Sequence, residues 1–182
     1  ISILLGLSMG SGTVFSLQYG AGDLSALRRS IYVSLLLIGT VTILLNVAVF
    51  LWLDPILRWL QVPYDIYSLM RNYLWIIFWG IVFPFLYNFY AALLRAVGDS
   101  VTPLWFLAVS VVLNIGLDLF LILVLDQGIE GAAVATVIAQ GTAASGILLY
   151  TYKTRPELRL HREDMCFDRS SLREITSFST LT

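Results

Sequence analysis

The sequence predicts an all-α, polytopic membrane protein with five transmembrane helices. Three observations carry that prediction: composition, the length of the uncharged runs, and the charge of the segments between them. Of the 182 residues, 58% are apolar and 13% charged, with a mean hydropathy of +0.84. A soluble domain carries about a quarter charged residues, so this chain has roughly half the usual means of covering a water-facing surface. The net charge of −1 and the absence of a basic run exclude nucleic acid as a partner. The single cysteine, Cys166, and single histidine, His161, leave no intrachain disulfide and no cysteine-based metal site.

Uncharged runs cover residues 1–22, 30–53, 72–94, 100–117 continued by 119–125, and 131–152. Each approaches the roughly 20 residues that cross a bilayer, giving spans of about 1–19, 30–53, 72–94, 100–125 and 131–152. The first run opens at Ile1 with no methionine, basic n-region or small-residue cleavage site, so it is not a secretory signal and a preceding helix is expected to be missing. Residues 153–182 read as a charged linker that gives way, at ITSFSTLT, to the start of a further span. Lys and Arg mark the cytoplasmic side. Nine of them fall in 20–29, 95–99 and the tail from 153, against Arg58 and Arg71 in the remaining connections. The connections 20–29 and 95–99 and the tail are therefore expected in the cytoplasm. In the outer connection 54–71, Asp54 and Pro55 look like the N-cap and first turn of a surface helix, with Trp59, Tyr64 and Tyr67 at headgroup level.

The intramembrane polar residues are few. A charge within a span costs at least about 2.5–3.5 kcal/mol, and Asp118 is the only acid in one of these spans. Asn114, four residues earlier, shares its helix face. The short connection Asp126–Glu130 makes the fourth and fifth spans an antiparallel hairpin. Residues equidistant from Gln127 should then lie at equal depth, which pairs Thr136 with Asp118 and Gln140 with Asn114. Ala132, Ala133 and Ala135 allow close approach. Counting about 1.5 Å per residue, Asp118 lies roughly 10 Å inside the end of its span. Four oxygen-bearing side chains thus converge, suited either to hydrogen-bonded helix packing or to a proton or a hard cation such as Na⁺. Pro84 removes a backbone hydrogen bond in the middle of the third span and is expected to kink it, with Tyr87 and Asn88 just beyond as candidate cavity residues. Gly6, Gly10, Ser16 and Gly20, with Gly141 and Ser145, read as small packing positions.

The segments GLSMGSGTVFSLQYGAGD, LLRAVGDSVTPL, LNIGLDLFLI and GIEGAAVATVIAQ, in this order along the chain, resemble the multidrug and toxic compound extrusion (MATE) family in its DinF-like branch. The resemblance implies a transporter of two six-helix lobes, of which this chain supplies helices two to six of the first, without the first helix and the C-terminal lobe. It also implies a cation site on Asn114, Asp118 and Thr136, to which the depth pairing adds Gln140 in support, and no cofactor beyond a coupling ion, H⁺ or Na⁺. The expected activity is antiport of amphipathic or cationic small molecules across the cell membrane. A lipid-linked oligosaccharide flippase of the same superfamily is the neighbouring reading, disfavoured because no span carries Lys or Arg. A structural membrane subunit is the alternative from another class. An embedded enzyme would need a nucleophile and base or a metal cluster, and the spans contain neither His nor Cys.

Overall fold

The computed structural model describes residues 2–61, 63–158 and 160. Six helices follow one another: α1 (Ser2–Gly20), α2 (Leu24–Trp59), α3 (Tyr64–Gly80), α4 (Val82–Ala96), α5 (Val101–Leu119) and α6 (Gly128–Thr154). A π-helical segment, Phe120–Val124, continues α5, and a 3-10 turn, Pro156–Leu158, follows α6. The tail expected to serve as a charged linker lies, from residue 161 on, outside the described residues. Helices α3 and α4 form one span interrupted at Ile81. That span, α2, α5 with its π segment, and α6 are each long and apolar enough to cross a membrane. Helix α1, 19 residues long, packs beside α2 and α4 in the same bundle.

Helix α6 is the hub, touching α3, α4 and α5. Its composition explains this: Gly131, Ala133, Ala135, Ala139, Ala143 and Ala144 are all buried. Lipid tails are as apolar as leucine, so close packing of small residues, rather than hydrophobic transfer, holds membrane helices together. Two glycines carry the closest approaches. A Cβ on Gly146 would stand 2.6 Å from the Phe106 ring, and one on Gly80 would stand 2.5 Å from Val137 Cγ2. Of the small residues picked out by spacing, Gly10 is buried and Gly141 lies against the Phe83 ring, whereas Ser16, Gly20 and Ser145 are exposed. Burial in α1 falls instead on Ser8, Ser11, Val14 and Phe15. Phe15 stacks edge-on against Phe89 with ring centroids 6.0 Å apart, at the centre of a core shared by α1, α2 and α4.

The kink at Pro84 takes the form of a break three residues earlier. Pro84 has no N–H, and its ring would crowd the Gly80 carbonyl four residues back. The ladder accordingly stops at Gly80, and Ile81 N–H closes a tight turn onto the Phe78 carbonyl at 3.3 Å. The side-chain amide of Asn46, in α2, donates to the same carbonyl at 2.7 Å.

The outer connection differs from its sequence reading. Asp54 is not an N-cap; α2 runs unbroken through Pro55 to Trp59. The Asp54 carboxylate instead accepts hydrogen bonds from Tyr67 Oη and Arg71 Nε, both at 3.0 Å. Pro55 lies inside the last turn and a half of α2, and the next helix begins at Tyr64, after Pro63.

Both turns on the side read as cytoplasmic use one device. A glycine with positive φ, Gly22 (75°) or Gly98 (87°), ends one helix where a side chain would be strained. The aspartate that follows caps the next helix. Asp23 accepts from Ala26 N–H at 2.9 Å and Ser25 Oγ at 2.8 Å. Asp99 accepts from Thr102 N–H at 3.0 Å and Thr102 Oγ1 at 2.8 Å. Burial pushes the Asp99 carboxyl up, but the Thr102 donors, the positive charge of Arg155 and the Tyr150 hydroxyl together outweigh it and hold the group below its ordinary value.

Two outcomes follow from these contacts. Gly80→Ala should destabilise the bundle by about 1–3 kcal/mol, because Val137 is β-branched and stiff within a helix; Val137→Ala should restore most of the loss, read as melting temperature in detergent. A carboxyl whose folded pKa is depressed stabilises above its unfolded pKa and loses that contribution as pH falls through the folded value. The melting temperature should therefore drop on acidification below the ordinary aspartate range, and Asp99→Asn should shrink that drop.

Candidate functional site

The α5–α6 hairpin is tighter than its sequence reading. Its turn comprises only Leu125–Gln127, with Asp126 (φ 52°) and Gly128 (φ 54°) in the left-handed region. Leu121 lies against Gly131, Asn114 against Thr136 and Phe106 against Gly146, so the hairpin centres on residues 125 and 126 rather than on Gln127. The π segment contributes, because its Leu125 N–H reaches back five residues to the Phe120 carbonyl at 3.2 Å and shifts the faces that follow. Thr136 therefore meets Asn114, not Asp118.

Asn114 Nδ2 donates to Thr136 Oγ1 at 3.4 Å, and that hydroxyl donates to the Ala132 carbonyl at 2.9 Å. This leaves the Asn114 carbonyl oxygen uncommitted by either bond. Asp118 stands one turn farther along the same face of α5. It is half-buried, and its Oδ1 is fully enclosed with no hydrogen-bond partner. A buried carboxylate oxygen without a donor costs on the order of 1–3 kcal/mol or more, so a helix that keeps one leaves an acceptor for something else to satisfy. Gln140 sits one turn from Thr136 on α6, toward the side read as cytoplasmic. The structure thus joins Asn114 and Thr136 directly and places Asp118 and Gln140 on either side of the pair.

Gln140 opens the site onto two cavities. One, of about 440 Å³, is bounded by Ser8, Phe78, Ile81, Pro84, Asn88, Thr136 and Gln140, among other residues. The other, of about 530 Å³, runs between α4 and α5. Pro84, Asn88 and Gln140 line both, and Tyr87 lines the second. Asn88 Nδ2 donates to the Pro84 carbonyl at 2.8 Å, and Tyr87 Oη to the Pro103 carbonyl at 2.8 Å. Asn46 escaped the sequence reading. Its signal was an amide in an otherwise apolar stretch of the second span, and it supports the Phe78 carbonyl at the edge of the smaller cavity.

A helical membrane bundle with an interrupted span, a polar face on one helical hairpin and cavities at mid-depth is the architecture of a transporter lobe. The MatE family model matches residues 1–120, and the chain belongs to that family, whose members are membrane transporters rather than enzymes. It is 39% identical over 153 residues to the probable multidrug resistance protein YpnP of Bacillus subtilis, covering 84% of this chain and 34% of that protein. It is 32% identical over 160 residues to the multidrug export protein MepA of Staphylococcus aureus, covering 84% and 35%. The chain therefore spans about a third of the length of these relatives. Its fold matches an inward-facing multidrug resistance MATE family transporter of the MOP superfamily with a TM-score of 0.92 at 21% identity, over 98% of this chain and 41% of that one. It also matches an outward-facing one with a TM-score of 0.89 at 22% identity, over 99% and 41%. The protein is a multi-pass protein of the cell membrane.

Because Asp118 Oδ1 has no donor to lose, Asp118→Asn should leave the sodium-free melting temperature unchanged or raise it. A fall of several degrees would assign Asp118 to helix packing.

Proposed function

We propose that this chain belongs to a secondary antiporter that exports amphipathic or cationic compounds in exchange for H⁺ or Na⁺, with Asp118 as the coupling carboxylate. The observation that carries this reading is the enclosed, partnerless Oδ1 of Asp118 beside the Asn114–Thr136 pair. Asn114 and Thr136 complete the shell of the bound ion, and Gln140 supports it from the cavity side. Carboxylate, amide carbonyl and hydroxyl oxygens suit a hard cation, and the same oxygens stabilise a shared proton.

The mechanism rests on charge state. With the site empty, the enclosed Asp118 Oδ1 is an acceptor without a donor, an unfavourable arrangement. Binding of Na⁺ or H⁺ relieves it and favours one packing of α5 on α6. A cationic compound in the adjoining cavity competes for the same negative charge and favours the other. Neither ligand shifts the equilibrium by more than its difference in affinity for the two packings. The compound lies in the smaller cavity, its apolar part against Pro84 and Asn88; Tyr87, expected beside them, lines the larger cavity instead.

In energised vesicles containing the full-length protein, efflux of a fluorescent cationic dye should depend on an imposed H⁺ or Na⁺ gradient. Asp118→Asn should abolish that dependence while membrane insertion stays normal. Thr136→Val, which removes the hydroxyl oxygen offered to the ion, should weaken coupling about ten-fold, the effect of about 1.4 kcal/mol. Gradient-driven efflux that survives Asp118→Asn would refute the assignment.

A further inference from the structure

The larger cavity has a feature that the proposed transport cycle does not use. It is a cleft of about 530 Å³ between α4 and α5, walled by Pro103, Leu104, Leu107 and Ala143. Arg95 and Ser100 stand at its mouth, both exposed, on the side read as cytoplasmic. The Tyr87 hydroxyl, donating to the Pro103 carbonyl at 2.8 Å, links α4 to α5 beside the cleft. Arg95 closes the last turn of α4, and among the described residues it makes no ion pair. The nearest acid in sequence, Asp99, is already committed to the Thr102 N–H and hydroxyl.

A cationic mouth repels the amphipathic cation proposed as cargo, and a zwitterionic lipid gains little there. The geometry points to an anionic phospholipid of the cytoplasmic leaflet as the occupant: its phosphate accepts from the Arg95 guanidinium and the Ser100 hydroxyl, and one acyl chain lies along Leu104 and Leu107. Head and tail then sit at the depths at which a leaflet presents them. Arg95 supplies the planar, multi-donor group that phosphate favours. The assignment stands on the cleft and its charge alone and does not depend on the role of Asp118.

Trp105, exposed on α5 beside Leu104, provides the reporter. In the full-length protein, with every other tryptophan (Trp52, Trp59, Trp75 and Trp79 among them) changed to Phe, its quenching by brominated phosphatidylglycerol is compared with that by brominated phosphatidylcholine in vesicles. The anionic lipid should be preferred about five-fold, the factor one cation contributes at an anionic surface. Arg95→Gln should bring the ratio to one, and Arg95→Lys should keep part of it. Ala143→Phe, which fills the cleft and leaves the charge alone, should also abolish the preference. No preference in the unmodified protein overturns the proposal, as it would if another protein segment filled the cleft. Preference that survives Arg95→Gln overturns the assigned head contact, and preference that survives Ala143→Phe reduces the effect to surface attraction.

Discussion

Inside hydrocarbon there is no water to take up an unpaired backbone group, and every irregularity of this chain is shaped by that constraint. The third span must lose a hydrogen bond at Pro84, and it does so where Asn46 can reach the Phe78 carbonyl from a neighbouring helix. The fourth span loosens into a π segment only in its last turn, where the chain is about to leave the bilayer. The turns at Gly22 and Gly98 supply the free N–H groups of the helices that follow with aspartates drawn from the turns themselves. With the backbone satisfied in this way, small residues on α6 can bring α3, α4 and α5 together, and the side chains of the hairpin acquire fixed neighbours.

The same reasoning separates the two polar sets of the lobe. Thr42 and Thr151 donate their hydroxyls to backbone carbonyls of their own helices; they belong to the scaffold. Asp118 has an oxygen with no such claim on it. Asn114 has committed its nitrogen and not its oxygen.

Much of this was legible in the sequence, because two strong signals act over long windows. Uncharged runs locate spans whatever their neighbours do, and a lone acid in such a run stands out at once. The Asn114–Asp118 face and the convergence on Thr136 came from helical periodicity and a short turn. What could not be read was anything that depends on one residue of register. The hairpin centre moved from Gln127 because Gly128 already belongs to α6 and because a π turn has no sequence marker of its own. Asp54 followed by Pro55 has the local form of a helix start, yet its partners Tyr67 and Arg71 lie on the next helix. Pro84 announced a kink, but the identity of the group that repairs it was invisible without the packing of α2.

Helix α2 has one consequence of its own. Its 36 residues extend about 54 Å, against a hydrocarbon core of about 30 Å, so it cannot be contained by the membrane at any modest tilt. The excess must emerge at the membrane surfaces, and its C-terminal end carries Trp59 and the Asp54–Tyr67–Arg71 cluster. The lobe thus carries part of one unbroken helix beyond the hydrocarbon, within reach of reagents dissolved in water.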